Sequence, residues 1–556
     1  MIDKLVLLKP EIVMFIAACV VMIIGVSHNL SLRRLCAPIT AIGLIVAGLL
    51  AYSGDPQSHS VLPNMAAYGK VIVSIVGLLL LMMAIGLPDR DYEAQVTRGA
   101  TFNPLRGTRG EFYAFFLFSL TGVMLCAGAD DLIWLFLALE LTSLPTYIMV
   151  TMSTARSRSM EAGVKYFFLG ALGAATFLYG FALLYGATGT TYLPKMTEIL
   201  QAQLAGEGLS GLAAAGLILS VLGVCFKIAA VPMHYYTADV YQGAASPVSA
   251  FLAFVPKTAG FFALLLIVST VGWSHADVST TGLPQPLHAV LWIIAVLTMT
   301  VGNVLALLQT SVKRMLAYSS IAHSGYMLVG LIAGPGRPGA GFTQSGIAAI
   351  MFYLLAYGVM NIGAFAVLSA LERQTKSASG ATSTDEIDDI ADVRGLCSSQ
   401  PLLGWTLVIS AVGLLGLPPL LGFFSKLPLF SAGIAAGEIT LVVILGLNSA
   451  IAAYYYLRLA SVALLEAPDA ARAATIKPAP FQTRAWAGVL SSVGIVGLMF
   501  YPVGKVATWA GQYAPAREAG TPGKPPAKPA TDVKLTVDAG TANPAANPAI
   551  VTTAAE

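Results

Sequence analysis

Four ionisable residues sit in surroundings that are otherwise hydrocarbon: Glu140 in DDLIWLFLALELTSLPTY, Lys227 in VCFKIAAVP, Lys257 in AFLAFVPKTAGFFALLL and Lys426 in LPPLLGFFSKLPLF. A charge at the middle of a spanning helix costs about 2.5–3.5 kcal/mol on insertion scales, so such residues face a protein interior, a water path or a partner. Long stems near a helix end snorkel to the interface, which accounts for Lys165 and Arg458. Lys257 and Lys426 have long apolar flanks on both sides and lack that escape. A single buried pair of Glu140 with a lysine has a purely structural explanation. Four such groups in one chain point to a path. Burial favours the neutral form of each group and a nearby opposite charge favours the ionised form, so moving a counter-charge decides whether the site holds its proton. His234 in VPMHYY and His323 in YSSIAHSGYML could extend the row, as could Lys165, although a lone histidine is more often a packing group.

Spanning helices must carry these residues. The chain of 556 residues is 56% hydrophobic and 11% charged with mean hydropathy +0.76, against about a quarter charged in soluble domains, which marks it as a membrane protein. Apolar runs of membrane length predict fourteen spans, near 12–29, 37–53, 70–87, 112–128, 131–151, 164–187, 211–231, 247–272, 288–309, 313–333, 345–371, 402–431, 439–465 and 485–509. Loops after the odd-numbered spans carry Arg33, Arg34, Arg90, Arg106, Arg156, Arg158, Arg373, Arg394 and Arg472 among others. Those after the even-numbered spans carry only Lys70, Lys195 and Arg337. The positive-inside rule then puts both termini outside, on the periplasmic side of a bacterial inner membrane.

Proline breaks the seventh span at Pro232, just after Lys227, and the twelfth at Pro418 and Pro419, just before Lys426. Broken backbone at membrane depth is tolerated where it lines a cavity, and breaks at matching places in two halves point to an ion site. Each break falls on the fourth span of a five-span unit, spans 4–8 and 9–13, and an odd span number inverts the second unit. The expected fold is an all-α polytopic membrane protein with two inverted five-helix repeats. Residues 1–111 form a three-helix segment, 112–272 and 288–465 the repeats, 485–509 a last helix and 510–556 a disordered tail rich in Pro and Ala. A short surface helix is expected within Glu372–Gln400, around DEIDDIADVRG. Cys19, Cys36, Cys126, Cys225 and Cys397 are scattered singly and the six histidines do not cluster, so no metal or cofactor site is expected in this chain. A net charge of +3 without a basic block argues against nucleic acid.

The stretches ALELTSLPTYIMV, EAGVKYFFLGALGAATFLYG, FKIAAVPMHYYTADVYQGAASPVSAFLAFVPKTAGF, NVLALLQTSVKRMLAYSSIAHSGYMLVG, YLLAYGVMNIGAFAV and LLGLPPLLGFFSKLPLF resemble the antiporter-like membrane subunits of proton-pumping NADH:quinone oxidoreductase, respiratory complex I, and among them the N type. The resemblance implies that Glu140 pairs with Lys227 in one half-channel, that Lys257 is the central relay and that Lys426 serves the outward half-channel. A lysine at 426, where M-type subunits carry glutamate, and the lack of a long lateral helix, which L-type subunits possess, favour N. Ala238, Gln242 and Ala245 stand where the family has proline, glutamate and proline. The same resemblance implies partner subunits of the M and L types and small membrane subunits. FMN, iron–sulfur clusters and quinone would then lie in partners, and this chain would convert their signal into proton transport. A cation/proton antiporter subunit of the Mrp type is the chief rival, followed by hydrogenase- or formate-linked membrane complexes. A structural membrane subunit without transport would tolerate neutral replacements at all four buried charges.

Overall fold

The computed structural model describes residues 6–53, 62–97, 99, 101–103, 106–154, 156–273, 282–336, 341–376 and 382–498. The principal helices are α1 (Lys9–Gly25), α2 (Cys36–Tyr52), α3 (Met65–Ala84), α4 (Arg109–Ala127), α5 (Leu132–Met152), α6 (Ser157–Thr188), α7 (Gly211–Lys227), α8 (Thr237–Gly243), α9 (Ser246–Ser269), α10 (Gln285–Leu307), α11 (Val312–Ala333), α12 (Gly346–Ala370), α13 (Pro401–Leu415), α14 (Leu421–Ala435), α15 (Ile439–Leu465) and α16 (Gln482–Gly497). Among the described residues ten helices are long and apolar enough to cross a membrane, and α7, α13 and α14 are shorter apolar helices.

The starts of these helices follow from local chemistry. The Asp131 carboxylate accepts the amide of Ile133 at 2.7 Å to open α5. Ser210, Ser311 and Ser345 cap α7, α11 and α12 through their hydroxyls, satisfying amides that a first turn leaves unpaired. Inside the bilayer the helices associate by close fit rather than by hydrophobic drive. At Gly180, where α6 crosses α7, a Cβ would stand 2.4 Å from the amide nitrogen of Ser220, so only glycine fits.

α9 and α12 are buried along their whole length and α11 nearly so. Helices that are apolar all round belong in the middle of a bundle. α9 packs on α3, α4, α5, α7, α11 and α12, while α12 also meets α13, α14 and α16. The helix bearing Lys257 is therefore the axis of the fold.

Three expectations are corrected. Lys70 is not in a loop: it lies in the first turns of α3, buried, 2.8 Å from Glu11 of α1 and donating to the Leu7 carbonyl at 2.7 Å. The apolar run begins at Lys70, whereas the helix begins at Met65 and takes the lysine inside. The twelfth span is two helices, because the chain leaves helical geometry at Gly416, where φ is +86°, and resumes it at Leu421. The stretch after α12 opens as strand rather than helix: β1 (Leu371–Lys376) pairs antiparallel with β2 (Thr382–Glu386) and with β3 (Ile476–Pro478). Its Thr- and Ser-rich sequence suits a strand; helical geometry returns as a tight turn at Ile390–Val393, boxed by Asp389 and Asp392 within the DEIDDIADVRG stretch where a short helix is expected, and again at Leu396–Ser399. The tail from 510, the part of the last expected helix from 499 to 509, and Arg337 lie outside the described residues.

Candidate functional site

Lys227 is the last residue of α7. Beyond it Ala229 takes a φ of +55°, Ala230 donates back to the Cys225 carbonyl at 2.9 Å, and the Val231 amide is held by the Thr298 hydroxyl of α10 at 3.0 Å. Backbone groups freed at the break are thus taken up by α7 itself and by a hydroxyl of α10, which is the condition for irregular backbone at this depth. Lys227 Nζ stands 3.1 Å from Glu140 Oε1 and donates to Ser143 Oγ at 2.7 Å, with the Phe177 ring 5.5 Å away.

Lys257 donates to the Ser320 carbonyl and, at 2.8 Å, to Ser324 Oγ. Ser324 Oγ in turn donates to the Ile228 carbonyl at 2.6 Å, the residue after Lys227. One hydroxyl therefore joins the centre of α9 to the break that follows α7.

Lys426 lies in α14, between the break and Pro428. It donates to the Leu415 carbonyl at 2.7 Å, one of the acceptors that α13 leaves unpaired at its end, and to Ser449 Oγ of α15 at 3.0 Å. Its ammonium is 5.1 Å from the Tyr326 ring.

His323 fills the space between Lys257 and Lys426. Its ring centroid is 5.5 Å from that of Tyr326 and 5.0 Å from that of Tyr357, and Tyr357 lies 5.8 Å from Lys257 Nζ. His323 Nδ1 is 2.5 Å from the Tyr353 hydroxyl and Nε2 is 3.0 Å from the Tyr456 hydroxyl. Glu140 and Lys227, then Ser324 by way of the Ile228 carbonyl, Lys257, Tyr357, His323, Tyr326 and Lys426 follow one another across the bundle, joined by hydrogen bonds as far as Lys257 and by ring contacts beyond it.

Two expected residues stand apart. Lys165 is half-exposed and pairs with Glu161 at 2.7 Å and Asp239 at 3.2 Å, at the arginine-rich end of α6. His234 lies in the turn before α8, and among the described residues its Nδ1 has no hydrogen-bond partner and no contact joins it to the lysine row. The sequence reading missed the hydroxyl partners: Ser143, Ser320, Ser324 and Ser449, and Tyr326, Tyr353, Tyr357 and Tyr456. Their signal was present in part, since Ser320 and Ser324, like Tyr353 and Tyr357, are spaced one helical turn apart in otherwise apolar helices. Beside Lys426, Asn303 donates to the Tyr326 hydroxyl at 2.9 Å and accepts from the Tyr455 hydroxyl at 3.0 Å, a polar cluster that the sequence alone did not reveal. An amine whose acceptors are hydroxyls, carbonyls and one carboxylate can give up a proton and take another without rebuilding its surroundings.

Residues 129–452 match the family described as NADH:quinone oxidoreductase/Mrp antiporter, transmembrane. NADH-quinone oxidoreductase subunit N of Trichlorobacter lovleyi is 37% identical over 458 residues, 81% of this chain and 85% of the relative. A chain of respiratory complex I from Thermus thermophilus, solved with bound aureothin, is 31% identical with a TM-score of 0.66, covering 91% of this chain and 100% of that one. A chain of the Mrp complex from Dietzia sp. DQ12-45-1b has a TM-score of 0.68 over 92% of this chain and 96% of its own, at 18% identity, a likeness of fold alone.

Proposed function

This chain belongs to the NADH:quinone oxidoreductase/Mrp antiporter transmembrane family, and from that premise we propose that it is an N-type, proton-translocating membrane subunit of a bacterial NADH:quinone oxidoreductase. The observation that carries the proposal is the succession of ionisable groups, hydroxyls and rings from Glu140 to Lys426. Electron transfer from NADH to quinone, with its FMN and iron–sulfur clusters, takes place in partner subunits. This chain sits in the membrane arm beside M- and L-type chains and moves protons. Glu140 and Lys227 load the row, Lys257 relays and Lys426 delivers outward. His323 bridges the two lysines, and Lys165 and His234 serve at the margins of the path.

Fourteen spans in a bacterial inner membrane, with both termini periplasmic, accord with the arginine distribution. The ten long helices, the broken pairs α7/α8 and α13/α14, and α1 and α16 support that reading. Two inverted repeats at 112–272 and 288–465, flanked by 1–111 and 485–509, are supported by a lysine beside each break, Lys227 before one and Lys426 after the other. An Mrp-type antiporter subunit is the second reading, supported by the family description, which covers both types, and by likeness of fold.

Lys257→Ala in the assembled complex, in sealed membrane vesicles, is the direct test. NADH-driven proton uptake should be lost or sharply reduced while the amount of complex on a native gel is unchanged. Pumping at the wild-type rate would overturn the assignment.

A further inference from the structure

Two residues of α10 reach the site without belonging to the row. Thr298 is wholly buried, and its hydroxyl oxygen accepts from the Val231 amide, freed at the break after α7, at 3.0 Å. Asn303, equally buried, holds the tyrosine whose ring lies 5.1 Å from Lys426 Nζ. Its Nδ2 donates to the Tyr326 hydroxyl and to the Met299 carbonyl of its own helix, each at 2.9 Å, and to Asn448 Oδ1 of α15 at 3.3 Å. Its Oδ1 accepts from the Tyr455 hydroxyl at 3.0 Å. A carboxamide has no ionisable proton to pass on, so what Asn303 supplies is geometry.

Thr298 and Asn303 are about 7.5 Å apart along the helix axis, and the helix between them is locked to α11. At Gly302 of α10 a Cβ would stand 2.6 Å from the Ala322 amide nitrogen, and at Gly325 of α11 one would stand 2.7 Å from that of Met299. The two backbones touch at this level, and helices packed so closely shift as one body rather than deform. α11 also grips the break, since Ser324 Oγ donates to the Ile228 carbonyl at 2.6 Å. One helix pair therefore holds two backbone groups of the break, the Ile228 carbonyl and the Val231 amide. The same pair presents the anchored Tyr326 ring to Lys426.

We propose that Thr298 and Asn303 are positioning residues for proton transfer, through which the locked α10–α11 pair ties the backbone beside Lys227 to the aromatic face over Lys426. A displacement of the break that accompanies a change of charge at Lys227 is passed to α10 by Thr298 and to α11 by Ser324. It reaches Tyr326 through Asn303 and alters the distance or tilt of the ring. A desolvated ring face favours an ammonium only while that geometry is kept, so the tie makes the proton at Lys426 answer to the state of the first break. Without it the two breaks respond separately. The inference rests on the proton-translocating role proposed above.

The test is a double-variant cycle in assembled complex in inverted vesicles, read as protons taken up per NADH oxidised. Thr298→Val, which keeps the shape and removes the acceptor, and Asn303→Leu should each lower the ratio by about threefold. Thr298→Ser should keep the wild-type ratio. The double variant should be no worse than the poorer single one, because both cut the same tie. Losses that multiply, as separate packing defects give, overturn the tie, as does a wild-type ratio in either single variant while Lys257→Ala is impaired. A wild-type ratio in Lys257→Ala removes the general role and the tie with it. Amide exchange at Val231 in the same complexes gives a second readout. Asn303→Leu leaves the Thr298 hydroxyl in place, yet it should speed that exchange by about threefold or more; exchange at the wild-type rate overturns the tie. Should the leucine variant not assemble, Asn303→Ser takes its place in both measurements.

Discussion

Lys227 is almost wholly enclosed, 2% exposed, whereas its partner Glu140 keeps 20% of its side chain accessible on the flank of α5. The carboxylate is therefore the member of the pair that surroundings beyond this chain can reach, and the amine is the one that must respond. Removing a partner from a buried pair costs about 3–5 kcal/mol when the remaining charge is held, but a lysine escapes that cost by shedding its proton. Glu140→Ala and Lys227→Ala should accordingly leave assembly mostly intact and impair coupled pumping, measured as proton uptake per NADH oxidised; wild-type uptake would defeat this. Glu11 and Lys70 behave otherwise, being buried together at 2.8 Å with no route leading to them among the described residues. Glu11→Ala should lower stability by less than the ~3–5 kcal/mol of a held charge, because Lys70 sheds its proton in the same way, and the double variant Glu11→Leu with Lys70→Met should recover most of the loss. Thermal unfolding of the solubilised complex checks the pair, and an unrecovered double variant would mean that the charges do more than hold α1 to α3.

The broken helices place the lysines, and their geometry makes sharper demands than their composition. At Gly416 a Cβ would come within 3.0 Å of Lys426 Cδ, at a φ of +86°. Gly416→Ala should cost about 1–2 kcal/mol in backbone strain and displace the Lys426 stem, so pumping should fall more than complex yield; the reverse order would argue for a folding defect alone. Glu386, the last residue of β2, accepts from the Ser246 amide and hydroxyl, each at 2.7 Å, and from Lys313 Nζ at 2.8 Å, a clasp across the starts of α9 and α11 that carries its own pH dependence. Burial alone would raise the carboxyl of Glu386, but the Lys313 ammonium and the hydroxyl and amide of Ser246 more than offset it, holding the group below its ordinary value of 4.5. A depressed carboxyl contributes stability that is complete above its unfolded range and is lost as pH falls through the folded value. Amide exchange at Ser246 should stay protected from about pH 7 to about pH 5 and give way only in stronger acid; loss of protection near neutrality would contradict the clasp. The breaks were legible in the sequence because proline beside a buried lysine is a local signal. The hairpin was not, because its third strand, Ile476–Pro478, comes from beyond two further spans, and β1 pairs with it only after the chain returns.

At the scale of the molecule, apolar runs and arginine-bearing loops made the membrane class and most of the spans readable, since each is a property of a single segment. The row's continuity was not readable, because Ser324, Tyr357 and Tyr326 matter only once α9, α11 and α12 are packed around one axis. The row offers amines, imidazole, carboxylate and hydroxyls, groups that take and give protons, and on the reading proposed above its driving energy comes from electron transfer in a neighbouring subunit. A proton-translocating subunit of an NADH:quinone oxidoreductase should co-purify, from native membranes in mild detergent, with flavin absorbance and iron–sulfur signals in stoichiometric amount. An Mrp-type assembly of the same fold should carry neither. The two outcomes separate the readings without reference to pumping, because the spectra report on the partners and the row reports on this chain; a colourless assembly containing the intact protein would move it to the antiporters and leave the lysine row in need of a different driving force.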